Sequence, residues 1–188
     1  MKDLDKTILD LLKKGGFILY ARHGEATVGV DQPYLNFQDC LTQRNLSEVG
    51  RRGAIYFGQM LRYFQIPISS PIVVSPFCRT IETAQLAFPY AYVRMDPFWY
   101  EIYKLGSKIS INEQTNILSN LQSVLERKPP QGMNQVIIAH SFPEGVGLGK
   151  ISNMGMVIVK PKGPGMGYEI VKKLNLEDLA HLDRGSSS

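Results

Sequence analysis

Four side chains in this sequence have the types and placement to handle a phosphoryl group: Arg22, His23, Arg79 and His140. Arg22 and His23 close the apolar run FILYA, Arg79 follows the run PIVVSPFC, and His140 closes VIIA. If these runs are parallel strands, their carboxyl ends share one rim, which is where open α/β sheets bind ligands. Two guanidinium forks on that rim match phosphate oxygens in geometry and charge. A neutral imidazole among them can attack phosphorus. Taken singly, each residue has an ordinary structural reading: a strand-end histidine hydrogen-bonds, and Arg79 begins a helix. A cation at that position opposes the helix dipole, which makes sense if an anion sits between arginine and helix. The third histidine, His181, lies in the polar C-terminal stretch and is given no role.

The chain must supply elements that carry these residues to one place. GFILYARHG reads as a short buried strand stopped by glycine. Gly50, Ala54, Phe57, Leu61 and Phe64 fall on one face of a helix over 47–64, and Ile81, Ala84 and Phe88 on one side of a helix over 77–88. PIVVSP and AYVRMDP read as strands, the second ended by Pro97. SINEQTNILSNLQSVLERKPP is a helix with Ser110 and Glu113 as a capping box, a stripe of Ile117, Leu118, Leu121, Val124 and Leu125, and a proline stop. NQVIIAHS is another buried strand, and GMVIVKPK and YEIVKKL form an edge hairpin around the turn KGPGMG. Strands alternating with helices predict a three-layer α/β/α sandwich with a mostly parallel central sheet. Ahead of it, Leu4, Ile8, Leu11 and Leu12 predict an amphipathic helix ending at Lys13, Lys14, Gly15 and Gly16.

Length and composition bound the rest. The 188 residues predict a single domain, with roughly 183–188 (including the final GSSS) a disordered tail. A net charge of +4 from 21 basic and 17 acidic residues is a mild excess that favours an anionic ligand. The basic residues are scattered, so no nucleic-acid partner is expected. Neither a spanning segment nor a signal peptide is legible, and no membrane association is expected. The two cysteines, Cys40 and Cys78, exclude a disulfide framework. They are read as free thiols of a cytoplasmic protein, with a single bridge left open, and the type of Cys78 as incidental.

ARHGEA resembles the RHG signature of the histidine phosphatase (phosphoglycerate mutase-like) superfamily. In the same order, LSEVGRRGA resembles that family's L(S/T)xxGxxQA helix, VVSPFCRTIETA its SxxxRxxxTA signature, and VIIAHS the strand leading to its second histidine. The resemblance implies a phosphoglycerate mutase-like fold and a hydrolase in which His23 becomes phosphohistidine. It implies that Arg22, Arg79 and His140 bind the equatorial oxygens, without metal or other cofactor. It also implies a small phosphorylated metabolite as substrate. For the leaving-group proton it points to Glu101, a few residues before Gly106, with Glu144 as the alternative. The acid phosphatase branch is disfavoured, because Ser141 replaces its acidic residue after the second histidine. Gly24, Gln43, Arg44, Ser141 and Glu144 are substrate-binding candidates around the rim, and Glu25 is expected to orient the loop. Tyr34, Phe37, Trp99, Tyr100 and Tyr103 are pocket-wall or core candidates.

Two departures from the family pattern stand out: Ala139 replaces a common glycine, and FPEGVGLGKISN reads as a loop where the family has a helix. The missing insertions favour a compact phosphatase. A mutase-type phosphotransferase and an inactive phospholigand-binding module are the alternatives. Oligomeric state is not legible.

Overall fold

The computed structural model describes residues 2–183, with side chains from residue 8 onward. Period-two alternation in the strands fixes its layering. In strand β1 (Ile18–Arg22), Leu19 and Ala21 enter one core while Ile18 and Tyr20 enter the other. Strand β6 (Gln135–Ala139) repeats this, with Val136 and Ile138 on one side and Ile137 and Ala139 on the other. Strands apolar on both faces must be covered on both faces.

Helices α1 (Lys2–Lys14), α2 (Glu48–Tyr63) and α3 (Cys78–Ala87) cover the first face, and α4 (Phe98–Lys104) and α5 (Ile111–Leu125) the second. The remaining sheet strands are β4 (Ile72–Val74), β5 (Val93–Met95), β7 (Met156–Pro161) and β8 (Tyr168–Leu174). Their order is β5-β4-β6-β1-β7-β8. The first four are parallel, and β7 and β8 form the expected antiparallel edge hairpin. Gly163, Gly165 and Gly167 in its turn all have positive φ, a conformation that favours glycine. Two short strands, β2 (Ala26–Val28) and β3 (Asn45–Leu46), pair separately.

Register brings the site together. Arg22 lies opposite Ala139, and Val74 opposite Ile138. The residues that follow, His23, Ser75 and His140, therefore emerge on one rim at nearly one level.

The helices explain their own stops. Ser47 accepts from the Gly50 N–H to cap α2, and Gly15, at φ 80°, ends α1. Gly58 lets α2 press on the backbone of Ala87 in α3, and Gly50 does the same against Glu25, beside the first histidine.

Several expectations need correction. In α1 it is Leu9, with Ile8 and Leu12, that is buried, whereas Leu11 is exposed. The capping box of α5 is half formed: Ser110 Oγ accepts from the Glu113 N–H, but the Glu113 carboxylate pairs with Lys104 instead. Cys40 and Cys78 are not free thiols but a disulfide, with Cα atoms 5.8 Å apart. The stretch around Glu101, for which the sequence predicts no element, is helix α4, opened by Pro97 after Asp96 turns the chain. The side chain of Leu4 and the tail from 184 to 188 lie outside the described residues. Among the described residues, no helix is long and apolar enough to cross a membrane.

Candidate active site

His23 follows β1 and is held by β6 on one side and by the turn before β7 on the other. Its N–H donates to Ala139 O at 3.1 Å, and its carbonyl accepts from the Met154 N–H at 3.3 Å. His23 is 3% exposed, and its ring Nδ1 lies 2.7 Å from Gly24 O. A carbonyl only accepts, so Nδ1 carries the proton and Nε2 holds a lone pair. That lone pair accepts from Arg79 Nε at 3.2 Å. The ring of His140 stands 5.6 Å away, centroid to centroid, with its Nε2 2.7 Å from Ser75 Oγ.

Burial, reinforced by Arg79, pushes the His23 imidazole well below its ordinary pKa. Burial, then His23 and Arg79, does the same to His140. Both rings are neutral at pH 7, so His23 keeps its nucleophilic nitrogen. There is a stability consequence. In the unfolded chain both histidines titrate near 6.5. Below that pH the unfolded state binds protons that the folded state refuses, so stability falls as pH drops and these two groups leave it unchanged well above that pH. Each histidine contributes a slope of about 1.4 kcal/mol per pH unit in this window. Urea midpoints measured from pH 7.5 to 5 should therefore decline below about 6.5. A flat profile would mean that the folded rings take up protons.

Arg79 is fully buried at the start of α3, its guanidinium 4.2 Å from the Phe77 ring centroid. Besides His23, it donates from Nη1 to Asp31 Oδ1 at 2.9 Å and Arg44 O at 3.1 Å, and from Nη2 to Asp31 Oδ2 at 3.2 Å. Arg22 Nη1 donates to Ile151 O, Arg44 Nη1 donates to Ala26 O, and the buried Arg22 Nε finds no acceptor among the described residues. Arg22, His23, Arg44 and Arg79, with Tyr103, His140, Ser141 and Phe142, line a cleft of about 500 Å³. Burial raises the Asp31 carboxyl, but the Arg44 N–H, Arg79 and the Tyr103 hydroxyl outweigh it and hold the carboxyl below its usual range. Three guanidinium groups against one carboxylate leave the cleft cationic, suited to a tetrahedral dianion.

The expected residues divide. Arg22, His23, Arg79, His140, Arg44 and Ser141 come together on the cleft wall. Gly24 lies just behind it, and its N–H donates to Thr83 Oγ1 at 3.1 Å. Glu25 accepts from Ser47 Oγ at 2.8 Å, tying the loop to the cap of α2.

Gln43 is not on the wall. It is fully buried, its Nε2 donates to Asn36 O, and its Oε1 accepts from the Cys78 N–H, capping a helix that has no local side-chain cap. Nor are the two glutamates among the wall residues. Glu101 pairs with Lys104 at 2.8 Å, and Glu144, 85% exposed, with Lys150 at 3.6 Å. Trp99 is core, Tyr34 is exposed, Phe37 packs on Phe77 and Tyr100, and Tyr103 is wall.

Asp31 and Ser75 were missed. Ser75 was legible as the first letter of the SxxxRxxxTA pattern. Its other letters also have jobs here: Arg79 faces His23, and Thr83 links Arg79 O to the Gly24 N–H. Asp31 carried no signal, since a single aspartate in a polar loop is ordinary.

The sheet order and the flanking helices give the chain a phosphoglycerate mutase-like α/β fold. Among solved structures it is similar to the phosphoserine phosphatase of Entamoeba histolytica in complex with 3-phosphoglyceric acid, at 13% identity and TM-score 0.54, covering 87% of this chain and 98% of that one. It is also similar to the protein histidine phosphatase SixA complexed with tungstate, at 14% identity and TM-score 0.54, covering 87% and 99%. A third is a putative alpha-ribazole-5'-P phosphatase from Escherichia coli K-12, at 12% identity and TM-score 0.53, covering 86% and 96%. At the level of sequence, no family model and no curated protein matches the chain.

Proposed function

We propose that this protein is a phosphomonoester hydrolase acting through a phosphohistidine at His23. One observation carries the reading: a buried, neutral imidazole presents an unprotonated Nε2 to the guanidinium of Arg79 inside a cationic cleft. Nε2 attacks phosphorus and the ester P–O bond breaks. Arg22, Arg79, Arg44 and His140 take up the charge on the equatorial oxygens. Water then attacks the phosphohistidine, releasing phosphate and restoring the imidazole. This chemistry draws on protein groups alone, and all 188 residues are read as one domain. The cleft suits a small phosphorylated metabolite, in keeping with the phosphoserine phosphatase and alpha-ribazole-5'-P phosphatase neighbours.

An alcohol leaving group needs a proton. Glu101 is the better of the two candidates, because α4 runs directly into the cleft-lining Tyr103, Leu105 and Gly106. Lys104 also holds Glu113 at 2.7 Å, so Glu101 can swing away without stranding the ammonium. Glu101→Gln should slow alkyl phosphates at least ~10-fold more than aryl phosphates, whose leaving groups need no proton. Equal effects on both series would remove Glu101 from this role. The reading as a whole is tested by chelator-resistant, vanadate-sensitive hydrolysis of an aryl phosphate with capture of acid-labile phosphate on His23. Absence of both in folded protein would overturn it.

The expectation of a cytoplasmic location rested on two free thiols, and the Cys40–Cys78 bridge withdraws that support. A disulfide here fits an oxidising compartment or a redox-controlled site.

A further inference from the structure

We propose that Asp31 is a positioning residue for Arg79, delivered by a loop that the Cys40–Cys78 disulfide fastens, so that the oxidation state of this cysteine pair sets the catalytic rate. The inference deepens the phosphatase reading, on which its kinetic arm rests.

Asp31 grips Arg79 through both carboxylate oxygens, at 2.9 and 3.2 Å, and accepts a third bond from the Tyr103 hydroxyl at 3.2 Å. This bidentate grip leaves the Arg79 Nε–H on the His23 side, where it meets Nε2. Asp31 touches three residues of the cleft wall, Arg79, Arg44 and Tyr103, and acts on the site through its hold on Arg79. Its carboxylate also accepts from the Arg44 N–H at 3.0 Å, which closes the loop from 31 to 44 on itself.

That loop is strapped to the start of α3 next to Arg79. Cys78 immediately precedes Arg79 and is bonded to Cys40, while its N–H is capped by Gln43 from the same loop. The strap is reachable from solvent: Cys40 and Cys78 line a surface cleft of about 690 Å³. A dithiol reductant can therefore open it. The reductant gives two electrons and two protons, the Cys40–Cys78 bond becomes two thiols, and the reductant is left as its own disulfide. The loop then keeps only its hydrogen bonds and ring contacts, and Asp31 holds Arg79 less firmly.

Because Arg79 Nε aims at the reacting nitrogen, its misplacement should act on the transition state more than on ground-state binding. The full chain, oxidised and reduced, would be assayed on p-nitrophenyl phosphate as wild type, Asp31→Asn and Asp31→Glu, with melting curves to verify folding. Binding of orthovanadate, a mimic of the five-coordinate transition state, and of inorganic phosphate would be measured by calorimetry. Asp31→Asn should lower kcat at least tenfold with KM changed less than threefold, and weaken vanadate at least tenfold with phosphate changed less than threefold. Asp31→Glu, which restores a carboxylate, should recover part of kcat. Reduction should lower wild-type kcat severalfold but that of Asp31→Asn less than twofold, since coupled changes are not additive.

A kcat unmoved by Asp31→Asn, or a reduction effect of equal size in both proteins, would overturn the proposal. Should the wild type prove inactive, the phosphatase reading falls separately. The vanadate-against-phosphate comparison across Asp31→Asn and reduction still decides the positioning role.

Discussion

His23→Ala eliminates turnover, with kcat on aryl phosphate falling by ~10⁴-fold or more and no acid-labile phosphoprotein formed. The size follows from the covalent route. Without Nε2 there is no acceptor for the phosphoryl group, and the water that fills the space is a far poorer nucleophile than a neutral imidazole. Binding of phosphate should survive, because Arg22, Arg44, Arg79 and His140 still line the cleft. Phosphate affinity should shift only severalfold, and in the tighter direction, since Arg79 Nε loses its internal acceptor and turns to the ligand. A single-turnover trace in which His23→Ala still releases product at near wild-type rate would refute the covalent mechanism while leaving the binding site intact.

Arg79→Ala has the second largest effect and strikes activity and stability together. The guanidinium supplies donors at the developing charge, and losing such a group costs ~10²–10³-fold in kcat. The same substitution strands Asp31, whose side chain is 14% exposed against 1% for that of Arg79. Removing one member of a largely buried ion pair costs about 3–5 kcal/mol, because the other charge is left without compensation. Arg79→Lys keeps the charge but cannot form the two parallel bonds to Asp31 while also pointing a donor at His23. Its stability should return further towards wild type than its kcat. Urea midpoints and kcat/KM measured on both variants check this, and equal recovery of the two would show that the geometry of the fork does not matter.

The parts of this architecture that were legible in the sequence are those written locally. The inner strands β1, β4, β6 and β7 are short apolar runs, and the stripe of α2 from Gly50 to Phe64 repeats with helical spacing. Arg22, His23, Arg79 and His140 could be placed on one rim because each adjoins such a run, and the parallel register did the rest. What was not legible depends on distant partners. Gln43 looked like a specificity residue beside Arg44, but its amide is consumed in capping α3, 35 residues away. Cys40 and Cys78 are separated by 38 residues, and nothing in their spacing said that they meet. Helix α4 was hidden because FWYEIYK is too short and too aromatic to show a clear period. The glycine-rich segment after His140 was read correctly as loop, since positive φ at Gly145, Gly147 and Gly149 leaves no continuous helix.

The position of β1 in the sheet bears on how the protein is made. It lies between β6 and β7, so a growing chain releases its first strand long before either neighbour exists. The bond from the Phe17 N–H to Asn134 spans 117 residues, and such distant closures are slow to form. Until then the apolar run ending at Arg22 and His23 has no strand to lie against, and a nascent chain stopped short of β6 exposes it to aggregation. Regain of enzymatic turnover during refolding should consequently lag behind the return of helical signal from α2 and α3, whose contacts are closer in sequence.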